Sequence, residues 1–352
     1  MEFRFYDPEL KLIGIMETMK SVLWRRRFYE PGEFTIYCPL TDYNIELCQR
    51  GNLVSFATAK EAGVIEQIIM TQEKLINEIK ISGRFLSSYM DRRLIRPTVT
   101  FSGKVEVAMR NLLMNVQYPL PLVELGELNN FDEEITFQAT YKNLLTYETK
   151  LSKAFNIGYR FRPDFTARKI YFETYKGVDH SIRQSQRTRV IFAPTFGNMQ
   201  SAKRQMVDKL LKNVCYVGGH GEGAERTFVT VGDDTLTGLE RREVYTNQSG
   251  IQQEEGMTEE EYLDLLRTAG NAKLDDCLLT DSFDCTAIPN GNFKYKVDYD
   301  LGDTITVQKP DWGIDRDQRM TEITEVYEHG AATIETVFGD PLPETIDWED
   351  KE

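Results

Sequence analysis

Short runs of β-type residues, separated by turn residues such as Asp7-Pro8 and Glu30-Pro31-Gly32, recur along this sequence and limit its possible folds. The runs in the first quarter are Phe3–Tyr6, Leu10–Met16, Ser21–Tyr29, Phe34–Tyr37, Asn52–Phe56, Gly63–Met70 and Leu75–Ile81. A spacing of about 8–12 residues is typical of a small sandwich or barrel. We therefore expect a β domain over residues 1–94. It ends in a short amphipathic helix from Arg84 to Leu94, where apolar residues recur at helical spacing.

The pattern changes to mixed helix and strand between residues 95 and 190. Apolar stripes at helical spacing occupy Lys104–Asn115 and Tyr141–Phe155. Alternating runs at Ile157–Arg162 and Lys169–Thr174 predict two strands. These segments together predict an α+β domain.

β-type runs return after residue 187. The predicted strands are Thr188–Phe192, Ser201–Val207, Leu211–Gly218, Glu225–Val231, Arg241–Thr246, Phe283–Ile288, Val297–Tyr299, Thr304–Gln308, Met320–Glu328 and Thr333–Phe338. Thr258-Glu259-Glu260-Glu261 is a capping box that opens a helix, with Gly270 as its expected end. We expect a second β domain at 191–252 and 292–342, a helical insertion at 253–291, and an acidic C-terminal tail at 343–352.

Length and composition exclude several classes of protein. A chain of 352 residues exceeds the ~250–300 residues at which one core stops growing, so more than one domain is expected. Hydrophobic residues make up 41% of the chain, too many for a disordered protein. No apolar stretch approaches the ~18 residues of a membrane-spanning helix. The start, Met1–Asp7, lacks the basic and apolar regions of a secretory signal.

Cysteine and histidine usage gives no sign of a cofactor or metal. The five cysteines are scattered and never spaced as CxxC, which argues against disulfides and structural zinc. The three histidines, His180, His220 and His329, stand singly in predicted turns. No GxSxG or His-Glu-x-x-His motif occurs. We therefore expect no cofactor and find no catalytic set.

Charge is segregated along the chain. Residues 1–250 contain 34 basic and 30 acidic residues, whereas residues 251–352 contain 8 basic and 26 acidic residues. An acidic surface repels nucleic acid and anionic lipid. It either keeps the protein in solution or forms a lining to which a passing polyanion does not adhere. The basic cluster Arg25-Arg26-Arg27 lacks interleaved stacking aromatics, so it favours a strand face or a subunit contact over a nucleic-acid site.

Two further motifs are weak evidence for chemistry. Gly218–Gly223 resembles a phosphate loop, but it lacks the GxGxxG spacing and a following helix, so a flexible hairpin is favoured. Paired carboxylates leave glycosidase chemistry open, although nothing singles out one pair over solvated turn residues. These pairs are Asp233 with Asp234, Asp275 with Asp276, Asp281 with Asp284, and Asp298 with Asp300.

Several segments, in their order and spacing, resemble one protein family. They are Pro31–Phe34, Gly51–Val54, Gly83–Leu86, Arg92–Ile95, Phe192–Gln200, Lys212–Gly219, Gly238–Val244, Tyr299–Val307 and Arg319–Glu328. On these segments the chain is similar to the siphovirus ReqiPepy6 Gp37-like tail proteins, a group of phage and prophage tail and baseplate-hub proteins. The resemblance extends from Leu23 to Pro341.

The resemblance implies a fold and a role. The fold would be two tail-tube-like β-barrels with an α+β insertion and a small helical insertion. The role would be that of a virion structural protein without enzymatic activity or sequence-specific nucleic-acid binding. A homotrimeric hub would join the hexameric tail tube to the three-fold tip and form part of the DNA channel. Its partners would be the distal tail or tail-tube protein, the tape-measure protein and a tip or fibre protein. It would be located at the virion tail tip after assembly in the bacterial host cytoplasm.

On this interpretation, a few residues are candidates for interaction. Arg25, Arg26 and Arg27 would form one subunit contact, and Arg241 and Arg242 another. Gly219, Gly221 and Gly223 would form a mobile hairpin tip in a joint that tightens on assembly. Two alternatives remain open. A tail-associated cell-wall hydrolase would need a carboxylate pair in a cleft, and a host-glycan-binding module would need exposed aromatic residues in one groove, among them Trp24, Trp312 and Trp348.

Overall fold

A computed structural model describes residues 2–74, 76–277, 279–288, 292–328 and 330–339. The acidic tail predicted at 343–352 lies outside the described residues, as do His329, Trp348 and Leu75, the first residue of one predicted strand. The described chain contains 22 strands, four α-helices and several short 3-10 helices.

The strands and helices are numbered in chain order. Through residue 92 they are β1 (Phe3–Tyr6), β2 (Leu12–Met16), β3 (Ser21–Arg27), β4 (Glu33–Pro39), α1 (Asp42–Leu47), β5 (Leu53–Phe56), β6 (Gly63–Val64), β7 (Gln67–Gln72), β8 (Asn77–Arg84) and a 3-10 helix (Leu86–Arg92). The middle elements are β9 (Val99–Lys104), α2 (Val105–Met114), β10 (Val123–Leu125), β11 (Glu134–Ala139), α3 (Leu144–Phe155), β12 (Gly158–Asp164) and β13 (Lys169–Tyr175). The remaining elements are β14 (Ile191–Phe192), β15 (Met199–Val207), β16 (Val214–Gly218), β17 (Phe228–Gly232), β18 (Glu243–Asn247), α4 (Glu259–Asp275), β19 (Thr280–Ala287), β20 (Thr304–Lys309), β21 (Ile314–Glu328) and β22 (Ala331–Gly339).

One ten-stranded sheet connects the first and last parts of the chain. Its main path is β15-β19-β22-β21-β3-β4-β8-β7, and β20 and β14 branch from β21. The link is the antiparallel pairing of β3 with β21, in which Arg26 lies opposite Ile323. The β-rich class with few helices is confirmed. Two closed barrels are not confirmed, because in the described strands β3 and β21 place both halves in one sheet and its path ends at β7 and β15.

The N-terminal core lies between this sheet and a second sheet of order β2-β1-β5-β6. Side chains alternate in and out along β3 and β4, so that Val22, Trp24 and Arg26 all point inward. The Trp24 ring meets the Phe56 ring edge-on at 5.1 Å between centroids. Such aromatic packing fixes the two sheets face to face.

The middle of the chain forms the predicted mixed unit. Helices α2 and α3 pack on the β9–β11 pair and on the sheet β10-β13-β12. The side chain of Asn143 caps α3 by accepting a hydrogen bond from the Thr146 N–H at 3.0 Å. Asn156, in the left-handed conformation, ends the helix. The core of this unit continues into the N-terminal region through Leu86 and Met90.

A separate sheet of order β17-β16-β18 carries α4 on one face. The predicted capping box at Thr258 and Glu261 is present in full. Gly270 lies inside α4 rather than at its end. A side chain at this position would meet Val217 and Val231 methyl groups at 2.5 and 2.7 Å. The glycine therefore permits close packing of the helix on the sheet. Strand β19, which follows α4, belongs to the ten-stranded sheet.

Two predicted elements differ in detail from the structure. The expected short amphipathic helix from Arg84 to Leu94 is the end of β8 followed by a 3-10 helix at Leu86–Arg92. The expected strand Val297–Tyr299 is a turn, in which the Asp298 carboxylate accepts a hydrogen bond from the Lys294 N–H at 2.7 Å. No helix in the described ranges is long and apolar enough to cross a membrane.

Candidate assembly surfaces

Strand β7 forms one end of the ten-stranded sheet and exposes an apolar edge. It pairs with β8 on one side, and no described strand covers its other side. Its sequence, QIIMTQ, contains no charge, and the side chains of Ile69 and Met70 are 42% and 47% exposed. Exposed apolar edge strands pair readily with other chains, and proteins usually block them with charges or proline. β7 therefore offers an open edge for strand pairing between subunits.

Strand β2 exposes a second apolar surface at the end of the smaller sheet. Its exposed side chains are Leu12, Ile13 and Ile15. The backbone of Ile15 is already satisfied by Tyr43 of α1, whose hydroxyl donates to the carbonyl at 2.9 Å and accepts from the N–H at 3.1 Å. β2 thus provides apolar contact area, while its backbone edge is closed at Ile15.

Arg26, a predicted contact residue, lies in the interior at 2% exposure. Its guanidinium donates to Asp300 at 2.6 Å, to the Tyr295 hydroxyl at 2.9 Å and to Glu61 at 3.1 Å. Lys60 adds a second cation on Asp300 at 2.9 Å. We call the group Arg26, Lys60, Glu61, Tyr295 and Asp300 the internal clamp. It connects β3 and the β5–β6 loop to the segment before β20.

Electrostatics within the internal clamp favour the charged forms of Arg26 and Asp300. Burial opposes the positive charge of Arg26, yet Glu61 and Asp300 hold its pKa well above the ordinary value. Burial likewise opposes the charge of Asp300, but Arg26 and Lys60 hold the pKa of that carboxyl well below its usual range. The clamp is therefore a buried set of compensating charges, and Arg26 has its partners within the chain.

Arg25 and Arg27 connect β3 to its neighbouring strands. The Arg25 guanidinium is 2.8 Å from Glu33 of β4, and the Arg27 guanidinium is 3.2 Å from the same carboxylate. Arg27 is also 3.5 Å from Glu322 of β21. These ion pairs lie across both ladders of β3. Arg25 and Arg27 thus hold β3 to both of its neighbouring strands, whereas Arg26 holds β3 to the internal clamp.

The predicted glycine-rich hairpin is present between β16 and β17. The base of its loop is fixed: the Gly219 N–H donates to the Thr227 carbonyl at 2.8 Å, and Arg226 donates to the Gly219 carbonyl at 3.0 Å. The hydroxyl of Tyr262 in α4 accepts from the His220 N–H at 2.8 Å. Close approach of α4 explains Gly219, since a Cβ there would meet the Tyr262 hydroxyl at 2.5 Å.

The tip of that loop requires glycine for a different reason. Gly221 and Gly223 have φ angles of +104° and +58°, which other residues rarely adopt. A Cβ at Gly223 would meet nothing within 4 Å. The tip is therefore shaped by backbone conformation and projects from the packed base.

Arg241 and Arg242 also find partners within the chain. Arg241 donates to Asp234 and to the Tyr216 hydroxyl, each at 2.7 Å, and to Glu243 at 2.5 Å. Arg242 is 2.8 Å from Asp208. Arg241 and Arg242 directly precede β18 of the sheet β17-β16-β18, whereas Arg25–Arg27 lie on β3 of the ten-stranded sheet. The structure therefore does not bring the two arginine clusters together in one site.

Half of the eight carboxylates that left hydrolase chemistry open are held in ion pairs. Asp281 accepts from Arg204 and Arg316, which hold its pKa well below the usual range. Burial raises the pKa of Asp284. Both residues lie on β19, three positions apart, so their side chains point to opposite faces of the sheet and do not converge on one substrate.

Two other kinds of ligand site, a glycan-binding groove and a metal site, can be compared with the structure. Trp24 is fully buried and Trp312 is 45% exposed, so these two tryptophans do not share an exposed groove. Within the described residues, no group of three or more histidine, cysteine, aspartate or glutamate side chains could hold a metal ion.

Comparison with known proteins identifies the family. The model of the Siphovirus ReqiPepy6 Gp37-like protein family matches residues 2–340, so the chain belongs to this family. A search of curated proteins gave no match.

Solved structures with a similar fold are phage tail proteins. A tail protein from Neisseria meningitidis MC58 is 13% identical with a TM-score of 0.60, over 96% of each chain. The 43 kDa tail protein of prophage MuSo2 from Shewanella oneidensis is 12% identical with a TM-score of 0.55, over 96% of this chain and 97% of that one. Prophage tail protein gp18 from Listeria monocytogenes EGD-e is 12% identical with a TM-score of 0.55, over 97% and 95%. The fold of this chain is thus that of phage tail proteins along nearly its whole length.

Proposed function

We propose that this protein is a structural component of a phage tail tip, a hub that joins the tail tube to the tip. The observation that carries the proposal is the family match over residues 2–340, together with a tail-protein fold over nearly the whole chain. A structural role is supported by the ion pairing of the acidic candidates. Four of these eight carboxylates, Asp234, Asp276, Asp281 and Asp300, bind arginine or lysine side chains of the same chain.

The hub would be a homotrimer that contacts the distal tail or tail-tube protein, the tape-measure protein and the tip or fibre protein. The open apolar edge of β7 supports self-assembly, because strand pairing satisfies its free backbone groups. The excess of acidic residues after residue 250 supports a channel wall from which DNA is repelled. Assembly would take place in the host cytoplasm.

Light scattering of the purified protein, with a peptidoglycan-cleavage assay on the same sample, tests this proposal. We expect a mass of three times 40.7 kDa and no cleavage. A monomer of 40.7 kDa that cleaves peptidoglycan would favour the hydrolase alternative instead.

Strand β7 gives a prediction about assembly. The double variant Ile69→Lys/Met70→Lys should remain folded, because both side chains are exposed, but should lose self-association, because lysine on an edge strand opposes pairing. Sedimentation velocity should show a shift from trimer to monomer. The control Tyr118→Lys/Tyr141→Lys replaces two side chains that are 69% and 64% exposed elsewhere, and it should still form trimers. Equal behaviour of the two double variants would rule out β7 as the contact.

A further inference from the structure

A groove lies between the β9–β11 pair, α3 and α4, and its volume is about 1040 Å³. The floor is apolar and aromatic: Phe101, Phe137 and Tyr147 form a row with ring centroids 6.0 and 5.3 Å apart. Leu151 of α3 and Leu265 of α4 line the walls. A groove of this kind, between two helices and a sheet, is suited to an apolar helix face.

One end of the groove is closed by hydrogen bonds. The Glu254 carboxylate, which precedes α4, accepts from Gln138 of β11 at 2.7 Å and from Thr100 of β9 at 3.2 Å. At the other end, Lys150 of α3 is 3.2 Å from Asp276, just after α4. These contacts hold α4 against the mixed unit, so the groove is preformed.

The rim of the groove is acidic. Six acidic and three basic residues line it. Two of the three cations are already neutralised, since Arg267 pairs with Asp264 and Lys150 pairs with Asp276. Glu255 and Asp275 have no ion pair within the described residues, and both are exposed.

The position of Asp275 increases this negative potential. Asp275 is the last residue of α4 and Asp276 is its C-cap. A helix C-terminus carries a partial negative charge, which favours nearby cations and disfavours carboxylates. Two adjacent carboxylates at this position therefore favour a cationic partner at that end of the groove.

From the apolar floor and the acidic rim we infer that this groove binds an amphipathic segment of another polypeptide, with lysine or arginine along one side. The apolar side of the segment would cover the half-buried rings of Phe101 and Tyr147, and its cations would meet Glu255 and Asp275. The inference concerns a surface that contains no residue of β7, and it does not depend on the trimer.

A labelled peptide of about 14 leucine and lysine residues, long enough to form a helix on binding, is a suitable probe. We expect Glu255→Lys/Asp275→Lys to weaken its binding about tenfold in fluorescence anisotropy, because two rim charges change sign. The control Glu9→Lys/Glu17→Lys makes the same change in net charge at exposed positions in the first β unit, and it should change binding less than about twofold. Equal weakening by both double variants would overturn the inference, because it would show a general response to net charge.

A second measurement locates the peptide. All five cysteines are buried, so a single introduced cysteine can be labelled selectively. Ala154 lines the groove and is exposed, so an environment-sensitive dye on Ala154→Cys should shift its emission to the blue when the peptide binds. The same dye on Glu17→Cys should not respond. A response at Glu17 without one at Ala154 would overturn the inference.

Discussion

Replacing Arg26 with alanine is expected to lower the free energy of unfolding by about 3–5 kcal/mol, the cost typical of breaking a buried ion pair. The variant would leave Glu61 without its cation in the interior, and Asp300 would keep only Lys60. Because the internal clamp connects the first and last parts of the chain, Arg26→Ala should also make these two parts unfold less cooperatively. Urea denaturation, followed by near-ultraviolet circular dichroism, measures both effects.

Two matched variants separate the internal clamp from a general effect of losing an arginine. Arg4→Ala removes an exposed arginine whose partner, Glu2, is also exposed, and should leave the free energy of unfolding nearly unchanged. Arg26→Met/Glu61→Met/Asp300→Asn removes both the cation and the buried anions, and should regain much of the stability that Arg26→Ala loses. If Arg26→Ala lowered the free energy of unfolding by less than about 1 kcal/mol, this description of the internal clamp would be contradicted.

The second large effect concerns Glu148 in α3. Its side chain is fully buried, and neither carboxylate oxygen has a hydrogen-bond partner among the described residues. Burial raises its pKa well above the ordinary value. The folded protein therefore retains a proton that the unfolded chain releases. Through this group, stability should not change with pH below the ordinary pKa of glutamic acid, and should fall by about 1.4 kcal/mol per pH unit between that value and the raised one.

Glu148→Leu should remove this dependence. The variant should be more stable than the wild type in acid by about 1–3 kcal/mol, the cost of an unsatisfied buried polar group, and this difference should increase toward neutral pH. Glu46→Gln, at an exposed position of α1, should leave the wild-type pH profile unchanged. Thermal unfolding from pH 4 to pH 8 measures the difference. Parallel profiles for wild type and Glu148→Leu would show that Glu148 is not protonated in the fold.

Local patterns predicted local structure well. The predicted runs Ser21–Tyr29 and Phe34–Tyr37 correspond to β3 and β4, and the predicted capping box at Thr258 opens α4, because neighbours in sequence determine these features. Gly270 was misplaced because its role depends on Val217 and Val231, which a pattern within α4 does not reveal.

Contacts between distant residues were not accessible from the sequence. Arg26 was expected in a subunit contact, yet its partners Glu61 and Asp300 are 35 and 274 positions away. The pairing of β3 with β21 joins the first part of the chain to the last part. This pairing merges the two expected barrels into one sheet. The acidic groove lies between the mixed unit and α4. Composition could therefore indicate that the C-terminal part of the chain is acidic, but it could not indicate where the groove is.

Electron microscopy with a gold-labelled antibody tests the central claim most directly. The sample would be tailed particles in which mass spectrometry detects this chain. A structural hub predicts gold at the tail end distal to the head. Label on the head, or along the full length of the tube, would contradict the proposal that this protein is the tail-tip hub.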